Sequence, residues 1–476
     1  MGATETLASW IAKTTYDEIP PAAIDQAKKS ILDYIGTATY GTTSQLGKIM
    51  IEFTREQGGN PQARVIATNI RTGSVQAAFA NGTLGHSEDF DDLGGCGGHP
   101  STVLSPTVLA LADELHLSGR DVLTAWVVGY EVGTRLSANN HTDRDWHPTA
   151  IYGTMAAAAA ASKLLGLDVE KTRMALGIAG SEAGGLRRNF GTMTKPFHPG
   201  QASRNGVIAA KLAAKGYTSD PDIIEGRQGY ADNFGGDKCN IPAMTKFLGK
   251  VYYLEHEGTR IKPWPCCGGN HQTLTNLLPF AKENNLKAED VERVEHIGPN
   301  IPCTGALLRT EVRLGLEGKF SLAYNISAAL IDGKVDHETF TDTRAAKGDL
   351  QAFMKRVQLK RSDDVALRRP HIADGNEETR LRITMRDGTV HDFVMKTATH
   401  LTGDAVVEKF RLNAEHVLGK ERTATAIALV QRLETLTDVA QLLDAVTDAG
   451  TTATAAKESL LGTATVRGSQ PAEVPA

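Results

Sequence analysis

Apolar residues recur at helical spacing over most of this chain, and only one late region alternates like a sheet. After Pro20-Pro21, Ile24, Ala27, Ile31 and Ile35 return at three- and four-residue steps, which predicts an amphipathic helix with prolines at its mouth. Ser74 to Thr83 is rich in alanine and other small residues and predicts a buried helix delivering the stretch from His86 to Asp92. Ser101 to His116 and Ser118 to Ala138 are apolar nearly all round, as enclosed core helices are. Pro148 to Leu167, with its alanine run from Ala156 to Ala161, and Thr172 to Ala183 predict closely packed helices. Gln201 to Lys215 resumes the helical pattern after a loop, and Ser219-Asp220-Pro221-Asp222 reads as the cap of a further short helix.

The period changes near Lys287. Val291 to Ile297, Val357 to Lys360, Arg380 to Met385 and Val390 to Met395 alternate apolar with polar, and the last two flank Arg386-Asp387-Gly388-Thr389, a hairpin with an Asp-Gly turn. Lys319 to Asp332, between them, is helical. The expected fold is mainly α, with a large all-helical domain over residues 1–274 completed by 398–450. A smaller α+β domain over 275–397 is inserted before the C-terminal helices, Asp404 to Leu418 and Arg422 to Val446. Residues 451–476, rich in Ala, Thr, Gly and Pro, read as a flexible tail, and no internal repeat is evident.

Composition narrows the partners. A formal net charge of −5 over 476 residues, with scattered Lys and Arg, leaves no footprint for nucleic acid or an anionic membrane surface. Met1 to Thr15 lacks a basic stretch followed by an apolar run, and no segment reaches the ~20 apolar residues of a membrane span, so a cytoplasmic protein is expected. Cysteines at 96, 239, 266, 267 and 303 are odd in number and irregular in spacing, which predicts free thiols.

Ordinary folding explains the stretch from Asn81 to Ser101 least well. His86, Glu88, Asp89, Asp91, Asp92 and His99 crowd together there, and carboxylates so close repel unless a cation, a proton or a helix N-terminus relieves them. Gly94-Gly95-Cys96-Gly97-Gly98 reads as a loop whose main chain approaches something closely. The residue types suit a metal, but HExxH, paired CxxC and calcium-loop spacings are missing and adjacent aspartates on one helix face different sides, so no metal is expected. With neither GxxxxGK[ST] nor GxGxxG, no nucleotide or other organic cofactor is expected.

Positive charge gathers from Gly184 to Gly206, in Arg187, Arg188, Lys195, His198 and Arg204. Lys195, just before a helix expected from about Gln201, would set its ammonium beside a helix N-terminus and form a carboxylate pocket. His147 heads the alanine-rich helix, where it serves either proton transfer or capping. Lys262 and His271 bracket the stiff Pro263-Trp264-Pro265-Cys266-Cys267 turn, whose cysteines fit a small buried pair better than a nucleophile.

HSEDFDD with a following HPS, then WHPTAIYG, GTMTKPFHPGQASRNG, KPWPCCGGNH and FSLAYNISAALIDG, occur in this order. Together they resemble the MmgE/PrpD family of 2-methylcitrate dehydratases, cis-aconitate decarboxylases and an iminodisuccinate epimerase, over about Leu7 to Val446. The resemblance implies a helical domain with an inserted α+β lid, a homodimer, and cofactor-free chemistry on a small di- or tricarboxylate in a cleft between the domains. Carried over by motif, it implies Asp89, His99, His147, Lys195 and His271 as catalytic residues, with Lys262 and Tyr324 at the substrate. Lys195 and Lys262, with Arg204, are expected to hold a doubly charged aci-carboxylate, with His147 as acid or base on one side and Asp89 paired with His99 on the other. The reaction expected first is a 2-methylcitrate dehydratase-like hydro-lyase. Decarboxylation and epimerisation use the same groups, and a catalytically silent carboxylate-binding protein is the alternative from another class.

Overall fold

The computed structural model describes residues 1–140, 145–236, 239–256, 258–298, 307, 309–361 and 379–447. Cys303 and the tail expected over 451–476 lie outside these residues. The fold is mainly helical, as the periodicity predicts. The Pro21–Gly41 helix opens on Pro21 and buries Ile24, Ala27, Ile31 and Ile35. Ser101–Leu115 and Gly119–Asn139 are enclosed along most of their length. A capping box starts the second of these, with Ser118 accepting from the Asp121 N–H and the Asp121 carboxylate accepting from the Ser118 N–H. In Pro148–Leu164 the whole alanine run is buried, because only small side chains fit between its neighbours.

One helix crossing positions the site. A Cβ added at Gly82 would lie 2.8 Å from Gly200 Cα, and one at Gly200 would lie 2.2 Å from Thr83 Oγ1. The Ser74–His86 and Thr194–Ala214 helices therefore meet backbone to backbone, which both glycines permit. The contact brings the last residue of one helix, His86, against the first turn of the other, where Lys195 sits. The Asp404–Leu418 helix packs back on this core through Phe410 and Ala414.

A second core gathers Phe320, Tyr324 and Ile326 against a four-stranded sheet that contributes Val291, Val294, Leu381 and Ile383. Its order is Val357–Arg361, Val291–Gly298, Arg380–Met385, Val390–Val394, with the first pair parallel and the others antiparallel. Arg380 pairs with Val394, and the predicted Asp-Gly turn closes the hairpin with the Met385 N–H donating to Thr389 O at 2.8 Å and Gly388 at φ +88°.

Three details differ from the periodicity. Ala63–Arg64 and Arg71–Thr72 pair as strands too short to display alternation. Residues 219–220 are coil and lead into a turn from 221 instead of capping a helix, because the Asp220 carboxylate takes the Asp222 N–H at 2.8 Å. The helix expected from Lys319 starts at Leu322, capped by the Ser321 hydroxyl, after a separate short helix at Gly315–Gly318. Among the described residues no helix is long and apolar enough to cross a membrane.

Candidate active site

Beyond His86 the chain leaves the helix and turns back under it, with Asp89 in the left-handed region at φ 51°. Asp89 through Asp92 thus follow the helix and do not lie on it, which corrects the expectation that adjacent aspartates face apart on one helix. His86, at 0% exposure, has Nδ1 2.7 Å from Asp91 Oδ1 and Nε2 2.6 Å from Lys195 Nζ. A lysine only donates, so Nε2 accepts and the ring proton sits on Nδ1. Burial, helped by Lys195 against the pull of Asp91, pushes His86 down to about 3 and keeps it neutral.

Asp91 serves a second ring as well. His99 Nδ1 lies 2.9 Å from the Asp92 carbonyl oxygen and 3.2 Å from Asp91 Oδ2. Both oxygens accept, so the His99 proton is on Nδ1 and Nε2 keeps its lone pair, 3.9 Å from Asp89 Oδ1. Burial lowers the His99 pKa, Asp91 opposes this, and Lys195 and Lys262 lower it further.

The crowded carboxylates find four kinds of relief. Asp89 Oδ1 is 2.7 Å from Lys195 Nζ and 3.4 Å from Lys262 Nζ, and these ammoniums overcome burial to hold it far below the usual carboxylate range. Burial likewise opposes charge on Lys262, but Asp89 and Asp91 hold its pKa above the ordinary value. Asp91 is kept ionised against its burial by the two imidazoles. Burial and the neighbouring Asp91 push Asp92 well above the ordinary value, which favours its protonated form. Its Oδ1 accepts from the Ser101 N–H and hydroxyl at the start of Ser101–Leu115. Glu88 is paired with Lys319 at 3.0 Å.

A cavity of about 480 Å³ is lined by His99, His147, Lys195, Phe190, Cys267 and His400, with the guanidinium-bearing Arg187 and Arg260. His147 precedes Pro148–Leu164, and its Nδ1 is 3.0 Å from His198 Nδ1, so one ring donates to the other. Burial and then Lys195 hold His147 well below its ordinary pKa. The glycine-rich loop is one wall, and the close approach it was expected to make is to helix side chains: a Cβ on Gly95, at φ +68°, would lie 2.3 Å from the Tyr130 ring.

Four sequence-derived candidates, Asp89, His99, His147 and Lys195, thus share one network or line one cavity, and Lys262 supports Asp89 from beneath. Lys195 lies inside the first turn of Thr194–Ala214 instead of ahead of a helix from Gln201: Pro196 falls where N–H groups have no partner, and the helix runs on through Pro199 inside it with one bond missing. His271 is buried behind the wall, with Nε2 3.2 Å from Cys266 O, Nδ1 unpartnered and its pKa pushed down to about 3 by burial and Lys262. Arg204 and Tyr324 are not brought to the cluster. Arg204 lies further along its helix with Nη1 3.3 Å from Gln201 Oε1, and Tyr324 is buried in the second core, donating to Thr339 O at 2.6 Å. His86 and Asp91 were noted in the acidic stretch but given no catalytic or substrate-binding role, and Lys319 and Arg260 were missed. For the first two the signal was the ligand-type spacing of the acidic stretch, while Lys319 and Arg260 lie in segments without a local signature.

One ligand atom from each of His86, Asp89, Asp91 and His99 lies within 4.8 Å of the others, a spacing that suits a metal ion. The Lys195 ammonium already bridges His86 Nε2 and Asp89 Oδ1, so a metal there must displace it. The four described cysteines are free, and burial raises the Cys266 and Cys267 thiols, which disfavours the thiolate a nucleophile needs.

Comparison with known proteins places the chain in context. The MmgE/PrpD N-terminal domain model matches residues 5–241 and the C-terminal domain model residues 264–435. A cis-aconitate decarboxylase of Mus musculus is 28% identical over 92% of both chains. One from Aspergillus terreus is 27% identical over 93% of this chain and 95% of its own. A mitochondrial 2-methylcitrate dehydratase of Yarrowia lipolytica is 25% identical over 69% of this chain and 66% of its own.

Proposed function

The chain belongs to the MmgE/PrpD family, and on that premise we propose that it is a lyase of small polycarboxylates, and more narrowly a cofactor-independent carboxy-lyase acting on cis-aconitate or a near analogue. The observation that carries the reading is the Lys195 ammonium at the wall of the cavity, fixed by Asp89 and His86 and facing the same space as His99 and His147. Arg187 and Arg260 line that space too, so three cations meet a ligand with three carboxylates. The relatives aligned over nearly the whole chain are decarboxylases, and the dehydratase aligns over about two thirds, which moves the preference away from the hydro-lyase expected first.

In this reading the bond from the methylene carbon to its carboxylate breaks and carbon dioxide leaves. The freed electron pair forms a new carbon–carbon double bond, while the former π pair moves to the carbon beside the far carboxylate, which becomes a doubly charged aci-carboxylate. Lys195 stabilises that charge, an effect worth about 3–4 kcal/mol for a well-placed donor in a water-poor site. His147, protonated once the negative charge of the bound polycarboxylate offsets the burial and the Lys195 charge that depress it in the free protein, delivers a proton to the carbon, giving methylenesuccinate, and is reprotonated from solvent. His99 acts there only as a hydrogen-bond acceptor.

One observation favours a second reading. The His99 lone pair, held on Nε2 by the acceptors at Nδ1, is a ready base that decarboxylation does not need. In a hydro-lyase it takes the proton beside a carboxylate while His147 protonates the departing hydroxyl. Incubating the protein with cis-aconitate, citrate and 2-methylcitrate separates the two. Release of carbon dioxide from cis-aconitate is expected, and loss of water from a hydroxy acid without such release overturns the carboxy-lyase reading. Binding of cis-aconitate with no turnover of any of the three overturns the lyase reading.

A further inference from the structure

The segment carrying Asp89 is gripped by its own backbone. Three successive carbonyl oxygens each accept from a buried lysine: Glu88 O from Lys319 Nζ at 2.9 Å, Asp89 O from Lys262 Nζ at 2.6 Å and Phe90 O from Lys409 Nζ at 2.5 Å. These lysines come from distant parts of the chain: the proline-rich turn, the approach to Leu322–Asp332 in the second core, and the Asp404–Leu418 helix. Lys262 is 0%, Lys319 2% and Lys409 4% exposed. Their other protons are also engaged. Lys319 bonds Glu88 Oε2 at 3.0 Å and Pro265 O at 2.9 Å, while Lys409 pairs with Asp33 Oδ1 at 2.7 Å.

A buried segment outside helix and sheet must find partners for its carbonyls, and backbone N–H groups or water suffice in most proteins. Buried ammoniums are a costly choice for that task alone. What they add is anchorage, since the 88–90 peptides cannot rotate without breaking charge-assisted bonds to three separate elements. Such anchorage is what a non-glycine residue at φ 51° requires, and rotation at Asp89 would swing its carboxylate off Lys195.

The geometry points to Lys319 and Lys409 as positioning residues that act through the Glu88 and Phe90 carbonyls to lock Asp89 against Lys195. Lys319 makes that lock depend on the second core, and neither lysine lines the cavity. The competing role is charge balance, in which the two lysines only neutralise buried Asp33 and partly buried Glu88.

Paired substitutions separate these roles. Asp33→Asn with Lys409→Met, and Glu88→Gln with Lys319→Met, each remove both charges together and so satisfy charge balance, while leaving the carbonyl without its donor. Hydrogen–deuterium exchange of residues 86–93 is expected to quicken at least about tenfold in each pair. With cis-aconitate, kcat is expected to fall at least about tenfold while KM changes less than about threefold. Wild-type exchange protection in either folded pair overturns the inference, as does wild-type kcat despite faster exchange. Only the kinetic arm rests on the proposed lyase activity. A wild-type protein inert toward cis-aconitate refutes that activity and leaves this inference to be decided by exchange, and if one pair fails to fold the other decides it.

Discussion

Replacing Lys195 with Met keeps the aliphatic stem and removes the ammonium that the proposed chemistry depends on. Two contacts vanish, at 2.6 Å to His86 Nε2 and 2.7 Å to Asp89 Oδ1. Asp89 keeps Lys262 at 3.4 Å and is not stranded as a buried unpaired charge, so the cost to stability is expected at about 1–3 kcal/mol, near that of one lost hydrogen bond to a charged group. The aci-carboxylate loses its donor, which raises the barrier by about 3–4 kcal/mol and lowers kcat by ~10²–10³. Lys195 also helps depress His99 and His147, so both limbs of the kcat/KM profile should move to higher pH in the variant, the acid limb through His99 as acceptor and the alkaline limb through His147 as proton donor. Steady-state decarboxylation of cis-aconitate from pH 5 to 8, with a thermal melt to show the fold is intact, reads all three effects. A folded variant with kcat within threefold of wild type refutes the role given to Lys195.

Further outcomes follow from the same network. Asp91→Asn puts an amide N–H against one of two ring N–H groups and forces a tautomer change at His86 or His99; kcat is expected to fall at least about a hundredfold with the melting temperature lowered by only a few degrees, as steady-state kinetics and a melt would report. Stability should decline on acidification. His86 and His271 sit near 3 and His198, His296 and His337 near 4 when folded, against about 6.5 unfolded, so their contribution is complete above pH 6.5 and is lost as pH falls toward 4. Asp33, raised to about 6, and Asp92, raised well above the ordinary value, work in the opposite sense, their contributions fading as pH rises, but the five histidines outnumber them. A melting temperature unchanged or higher at pH 5 than at pH 7 contradicts this balance. Dialysis against EDTA should leave turnover within about twofold, since Lys195 fills the place a metal would take; loss of activity restored by a divalent ion contradicts that.

Helices and the Asp-Gly hairpin were legible because period and turn chemistry are local, and the alanine run in Pro148–Leu164 announced close packing directly. Asp89, His99, His147 and Lys195 stood out because polar residues crowd there against small ones, and the structure gathers them. Periodicity marks a helix without saying which neighbour each residue faces, so Arg204 was grouped with Lys195 although it lies further along the same helix and bonds Gln201. Prolines at 196 and 199 read as a turn and hid a helix that begins at Thr194. Lys319 and Lys409 left no trace because each reaches a carbonyl in a distant stretch, and pairing of that kind exists only after folding. The role of Asp91 was hidden similarly, since bridging two imidazoles depends on a turn that follows the helix.

Proton NMR of cis-aconitate incubated with the protein in heavy water tests most directly whether this cavity carries out cofactor-free decarboxylation. The vinyl proton of the substrate should disappear while two geminal methylene protons of methylenesuccinate grow in. The saturated carbon should carry a single deuterium, delivered when the aci-carboxylate collapses. Persistence of the vinyl signal, or its conversion to a hydroxy acid without loss of carbon dioxide, would contradict the reading and return the site to hydro-lyase chemistry or to binding alone.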